Sequence, residues 1–121
     1  MSKVLIVDDS GLARRGTRRI LESAGFDVVE AEDGLSALEK YFIEKPEVVV
    51  LDLVMKGMYG LDVLAKLRQM DPSARVIVVS ADIQTSSREL VTAGGAAAFL
   101  TKPIDAPGLV GAVHAALEVK P

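Results

Sequence analysis

The chain has 121 residues, half of them hydrophobic, which suits one domain with its own core and is too apolar for a disordered segment. It has no cysteine, so disulfides and thiolate metal sites are excluded, and a net charge of −3 with a pI near 5.1 argues against direct nucleic-acid binding. No apolar run reaches membrane-spanning length and no long apolar segment opens the chain, so a cytoplasmic protein without membrane contact is expected.

Strand-like and helix-like patterns alternate. Residues 3–7 read as a first strand, and residues 10–24 as a helix with Ala13, Ile20, Leu21 and Ala24 toward the core and Gly25 as its stop. Gly16 weakens that helix by about 1 kcal/mol relative to Ala. A second strand covers 26–31. Asp33-Gly34 then opens a helix with Leu35, Leu38, Tyr41 and Phe42 on one side, ending before Pro46. The third strand spans 47–51, and Leu61, Leu64 and Leu67 mark a helix over 60–69 that Asp71-Pro72 breaks. The fourth strand is 75–79. Ser86-Ser87-Arg88-Glu89 fits a capping box for a helix over 87–93, closed by Gly94-Gly95. A fifth strand over 96–100 precedes a last helix that begins after Asp105 and carries Leu109, Val113 and Leu117. Five such units without repeat or linker predict one α/β domain over residues 1–121, built on a doubly wound parallel sheet.

Four of the strand patterns are continuous apolar runs, the signature of strands buried on both faces. Val4 to Val7 ends in Asp8-Asp9, and Val48 to Leu51 in Asp52. Val76 to Val79 ends in Ser80, and Ala97 to Leu100 leads through Thr101 to Lys102-Pro103. Parallel strands place their C-terminal ends along one edge, so three carboxylates, a hydroxyl and an ammonium gather there.

Carboxylates so placed repel: two unit charges about 4 Å apart cost roughly 4 kcal/mol at an effective dielectric near 20. Either one stays protonated or a cation binds, and an all-oxygen site suits Mg²⁺. Asp8 or Asp9 serves equally well as a cap for the following helix, with Ser10 competing, so the pair alone leaves both roles open. Asp52 is harder to read as a turn residue, because the end of an aliphatic strand offers little to solvate it. Lys102 supplies a cation for a carboxylate or phosphate, or is an ordinary surface lysine. Ser80 is a weak signal alone, so the weight lies in the joint spacing.

Val7-Asp8-Asp9-Ser10, Leu51-Asp52-Leu53-Val54-Met55, Val79-Ser80-Ala81 and Lys102-Pro103, in this order along essentially the whole chain, resemble the receiver domain of two-component response regulators. The free-standing chemotaxis-type regulators are the nearest look-alikes. The resemblance implies a (βα)5 flavodoxin-like fold with strand order 2-1-3-4-5, an order known for that fold rather than derived from these residues. It implies that Asp52 accepts a phosphoryl group from a phosphohistidine on a sensor histidine kinase or phosphotransfer protein. Asp9 would bind Mg²⁺ directly and Asp8 through water, with Asp52 and the backbone carbonyl of Val54 completing the protein's share. Mg²⁺ and Lys102 would offset phosphoryl charge, Ser80 would bond a phosphoryl oxygen, and the small Ala81 would leave it room. The family couples that hydroxyl to an aromatic residue three positions before the lysine, here Phe99, and makes the Lys102–Pro103 peptide cis. The implied protein is a signalling switch rather than an enzyme.

Lys56 and Tyr59 depart from the family's usual proline and polar residue in the loop after Asp52, and bear on metal affinity, phosphoryl lifetime and partner choice. Asp82 sits two residues past Ser80, where it either steers water or is solvated. Arg14, Arg15, Arg18 and Arg19 form either a solvated face or an edge for kinase docking. The helix over 87–93 offers only Leu90, Val91 and Ala93 for burial, which anchors it weakly. In the family the surface of the fourth helix, fifth strand and fifth helix binds a downstream protein target, so phosphorylation is expected to shift that surface between two populations. His114 alone cannot make a metal site. A degenerate receiver acting as a phosphorylation-independent interaction module is the alternative, against which the full set of Asp8, Asp9, Asp52, Ser80 and Lys102 speaks. A hydrolase of the haloacid dehalogenase type calls for Asp-x-Asp, a cap and more length. No Gly-x-Gly-x-x-Gly or Walker-type loop points to a nucleotide.

Overall fold

A computed structural model describes residues 2–55, 58–81 and 85–118. Its elements are β1 (Lys3–Val7), α1 (Gly11–Ser23), β2 (Asp27–Ala31), α2 (Gly34–Glu44), β3 (Val48–Asp52), β4 (Val54–Met55), β5 (Met58–Tyr59), α3 (Gly60–Met70), β6 (Val76–Ser80), α4 (Thr85–Ala93), β7 (Ala98–Thr101) and α5 (Ala106–Glu118). The main sheet has five parallel strands in the order β2-β1-β3-β6-β7, which is 2-1-3-4-5 when its strands alone are counted. This is the expected doubly wound arrangement. No sequence pattern announces the antiparallel β4–β5 pair, since two residues a side are too short for any periodicity to show.

Side-chain alternation along the strands builds two cores. Leu5, Val7, Val49, Leu51, Val76 and Val78 pack on one face with residues of α2, α3 and α4. Val4, Ile6, Val48, Val50, Ile77 and Val79 pack on the other with Leu21 of α1 and Leu109 and Val113 of α5. Both faces are covered, and that is why the strands read as unbroken apolar runs. Three strands end one residue past expectation, at Asp52, Ser80 and Thr101: Asp52 pairs with Val79 and Ser80 with Thr101, so all three polar groups are strand residues. β7 begins at Ala98 rather than 96.

Helix faces differ more. Leu35 and Phe42 of α2 are 65% and 74% exposed. The stripe against the sheet is Gly34, Ala37, Leu38 and Tyr41, where small residues let the helix approach closely. In α1 the buried residues are Thr17 and Leu21, while Ala24 is the exposed C-cap, and Gly25 follows with φ +93°. Arg14 and Arg18 are not simply solvated: their guanidiniums grip Glu30 of β2 at 2.9 and 2.6 Å. α4 starts at Thr85, so Ser86 lies inside its first turn rather than at its cap, and the Ser86 side chain lies outside the described part. Leu90 and Ala93 of α4 are exposed, and Val91 with Ser87 makes the buried contact. His114 packs its ring on Phe26 at 5.3 Å between centroids.

One cross-helix bond carries a test. The Tyr41 hydroxyl donates to Asp71 Oδ2 at 2.6 Å, and that bond, with the Ser73 N–H, holds the Asp71 carboxyl below its ordinary value. Tyr41→Phe should cost about 1 kcal/mol in urea unfolding at neutral pH. A carboxyl with a depressed folded pKa stabilises above its unfolded pKa, and the gain is lost as pH falls through the folded one. The cost of Tyr41→Phe should therefore shrink between about pH 5 and pH 3.

Candidate functional site

Sheet register brings the acidic residues together. Val7 pairs with Leu51, so Asp8 and Asp52 lie side by side one step further along β1 and β3. Both belong to the alternation that faces α1 and α5. Their ligand oxygens and one of Asp9 all fall within 4.8 Å of one another. Asp8 is 6% exposed and Asp52 9%, whereas Asp9 faces solvent.

Lys102 closes the cluster. Its Nζ stands 3.2 Å from Asp52 Oδ2 and 3.4 Å from Asp8 Oδ2. The Lys102–Pro103 peptide is cis. The Lys102 backbone N–H donates to the Ser80 carbonyl at 2.8 Å, so the strand leading into Lys102 is tied to the one ending in Ser80. The other carboxylate oxygens accept backbone bonds. Asp8 Oδ1 takes the Ser10 N–H at 2.9 Å and Asp52 Oδ1 the Val54 N–H at 3.3 Å. Ser10 is also the cap of α1, accepting from the Ala13 N–H, so the capping role left open among Asp8, Asp9 and Ser10 falls to Ser10.

Burial pushes the Asp52 carboxyl above its ordinary value. Lys102 opposes that shift, the Asp8 charge adds to it, and the Val54 N–H opposes it again. For Lys102 burial works against the ammonium, but attraction to Asp52 and Asp8 outweighs it and holds the group above its ordinary value. The result is a partly desolvated carboxylate of raised basicity beside a firmly charged cation.

Ser80 is buried at the end of β6, and Val54 lies two residues past Asp52 with its side chain exposed. Phe99 is partly buried on β7 and packs with the core facing α2, α3 and α4. Lys56 and Asp82 lie outside the described residues. Tyr59 is exposed at the entry to α3.

The family profile of the response regulator receiver domain matches residues 4–114. The chemotaxis protein CheY of Listeria monocytogenes is 41% identical over 117 residues, which are 96% of this chain and 98% of that one. The chain belongs to the response regulator receiver domains. CheY of Bacillus subtilis is 38% identical to this receiver domain, over 95% of it and 97% of the relative. Among solved structures, a CheX–CheY–BeF3–Mg²⁺ complex from Borrelia burgdorferi superposes with a TM-score of 0.91 at 33% identity, covering 98% of this chain and 90% of that one. As a response regulator the domain is a component of two-component signalling, where receiver domains act as switches between histidine kinases and downstream targets. Receiver domains bind Mg²⁺ at an acidic pocket, and here the acidic pocket is Asp8, Asp9 and Asp52.

The contacts of three residues of this receiver domain escaped the sequence reading. Arg14 Nη1 donates to the Asp8 carbonyl at 2.6 Å and so braces the end of β1 from α1. Gly60 donates its N–H to the Leu53 carbonyl at 2.7 Å, directly behind Asp52. A glycine just after a loop is the only signal for it. Arg88 reaches from α4 to β7, a contact that no local pattern announces.

Proposed function

We propose that this receiver domain accepts a phosphoryl group on Asp52 from a phosphohistidine of a sensor histidine kinase or phosphotransfer protein in the cytoplasm, and thereby switches a protein-binding surface. The observation that carries the reading is the buried Asp52 carboxylate, held 3.2 Å from the Lys102 ammonium at the edge of the sheet. An Asp52 oxygen attacks phosphorus, the phosphorus–nitrogen bond breaks, and the imidazole leaves with the electron pair. Such a transfer needs positioning and charge neutralisation more than covalent help.

The residues present fit Mg²⁺. The donors are all hard oxygens, three carboxylates converge, and the cluster carries more negative charge than Lys102 neutralises. Asp9, Asp8 and Asp52, with the Val54 carbonyl, would hold the ion. When bound it would draw charge from the transferring phosphoryl oxygens. Lys102 pairs with a phosphoryl oxygen in this reading, and buried Ser80 bonds another. Phe99 packs differently as Ser80 moves, which carries the change to the surface of α4, β7 and α5, where a downstream protein binds. The Borrelia burgdorferi CheY complex holds BeF3, Mg²⁺ and CheX, which by likeness supports an Mg²⁺ site and a protein partner for this domain.

Intact mass after incubation with a small phosphodonor and Mg²⁺ tests it. Wild type should gain one phosphoryl group and Asp52→Asn none. An unmodified wild type would leave the domain a phosphorylation-independent binding module.

A further inference from the structure

Arg88 lies early in α4, and its side chain crosses to β7. The guanidinium carbon stands 4.8 Å from the centroid of the Phe99 ring. Nη2 of the same group donates to Thr101 Oγ1 at 3.0 Å. Phe99 and Thr101 are two apart on one strand and share a face, so one planar guanidinium engages both. The clasp sits next to the switch elements: Thr101 pairs with Ser80 in the sheet and directly precedes Lys102. Of the α4 side chains after its first two residues, only Ser87 and Val91 are buried, so the clasp is a substantial part of what joins α4 to β7.

We propose that Arg88 is a positioning residue of the switch: stacked on the half-buried Phe99 and bonded to Thr101, it holds the ring in this position and opposes its movement further inward. The ring cannot stay under the guanidinium and also move deeper into the fold. Any ligand at Asp52 that favours an inward ring must then break the clasp, and by linkage that ligand binds more tightly once the clasp is gone. The inference rests on the phosphoacceptor reading above and adds to it a residue that sets how readily the switch responds.

The test is beryllofluoride titration of the whole chain with Mg²⁺, followed by amide and Phe99 ring resonances. Arg88→Ala should bind beryllofluoride about two- to fivefold more tightly than wild type, the size of one exposed cation–π contact. Its free Phe99 ring signals should already lie part-way toward their bound positions. Thr101→Val keeps the stack and loses the hydrogen bond, so it should move both readouts less and in the same direction. In a Phe99→Leu background, Arg88→Ala should tighten binding no further. Equal or weaker binding by Arg88→Ala, or unchanged ring signals, would overturn the clasp while leaving the phosphoacceptor reading intact. A wild type that takes up no beryllofluoride would overturn that reading and the role of Arg88 with it.

Discussion

Lys102→Ala is expected to change two properties in opposite directions: phosphoryl uptake at Asp52 falls about a hundred- to a thousandfold, and Mg²⁺ binds about three- to tenfold more tightly. The first effect follows from removing a fixed cation from the place where phosphoryl charge would arrive in the proposed transfer. The second follows from where Lys102 now sits. Its ammonium lies 3.2 and 3.4 Å from oxygens of Asp52 and Asp8, and any metal ion using those carboxylates works against it. At an effective dielectric near 20, one charge some 5 Å away is worth about 3 kcal/mol, and about a third of that survives as the predicted gain in affinity. Calorimetric Mg²⁺ titration and intact-mass kinetics on the same samples separate the two. Lys102→Ala should also melt earlier without Mg²⁺, since it leaves Asp8 and Asp52 unneutralised, and recover when Mg²⁺ is added. If Mg²⁺ binding weakened along with phosphorylation, Lys102 would be acting through the shape of the site, and the charge argument would be wrong.

The parts of this protein that could be read in its sequence are those set by strand periodicity. Val4 to Val7, Val48 to Leu51 and Val76 to Val79 are apolar on both faces because helices cover both faces, and their ends mark one edge of the sheet. Chemistry placed at strand ends therefore comes together in three dimensions, as Asp8, Asp9, Asp52 and Lys102 do. Helix faces were harder. Leu35 and Phe42 outrank Gly34 and Ala37 in hydrophobicity, yet close approach to the sheet selects the small residues. Side-chain contacts between a helix and its neighbouring strand left no trace at all. Arg14 on the Asp8 carbonyl and Arg88 on Phe99 depend on helix placement that no local pattern encodes.

Gly60→Ala should destabilise the domain by about 3 kcal/mol and lower its midpoint by about 10 °C, the largest stability loss expected from so small a change. A Cβ at this position would lie 2.6 Å from the Leu53 Cα and 2.7 Å from the Asp52 and Leu53 carbonyl oxygens. All three atoms are backbone, so no side-chain rotation relieves the clash. The requirement is steric, since the glycines with positive φ among the described residues are Gly25 and Gly95. The segment that must give way is also the one that fixes Asp52. Leu53 is fully buried, its N–H donates to the Val79 carbonyl at 2.9 Å, and its own carbonyl accepts from Gly60. Phosphoryl uptake should therefore fall in Gly60→Ala even well below its melting temperature. Gly16→Ala is the matched comparison. It lies inside α1, where an added methyl carbon would meet nothing within 4 Å, so the same substitution there should stabilise by about 0.5–1 kcal/mol. Opposite signs in one calorimetry series would show that Gly60 is required by the backbone it abuts rather than by helix propensity. A Gly60→Ala variant that melts with wild type would mean that the loop behind Asp52 yields freely and does not hold the carboxylate in place.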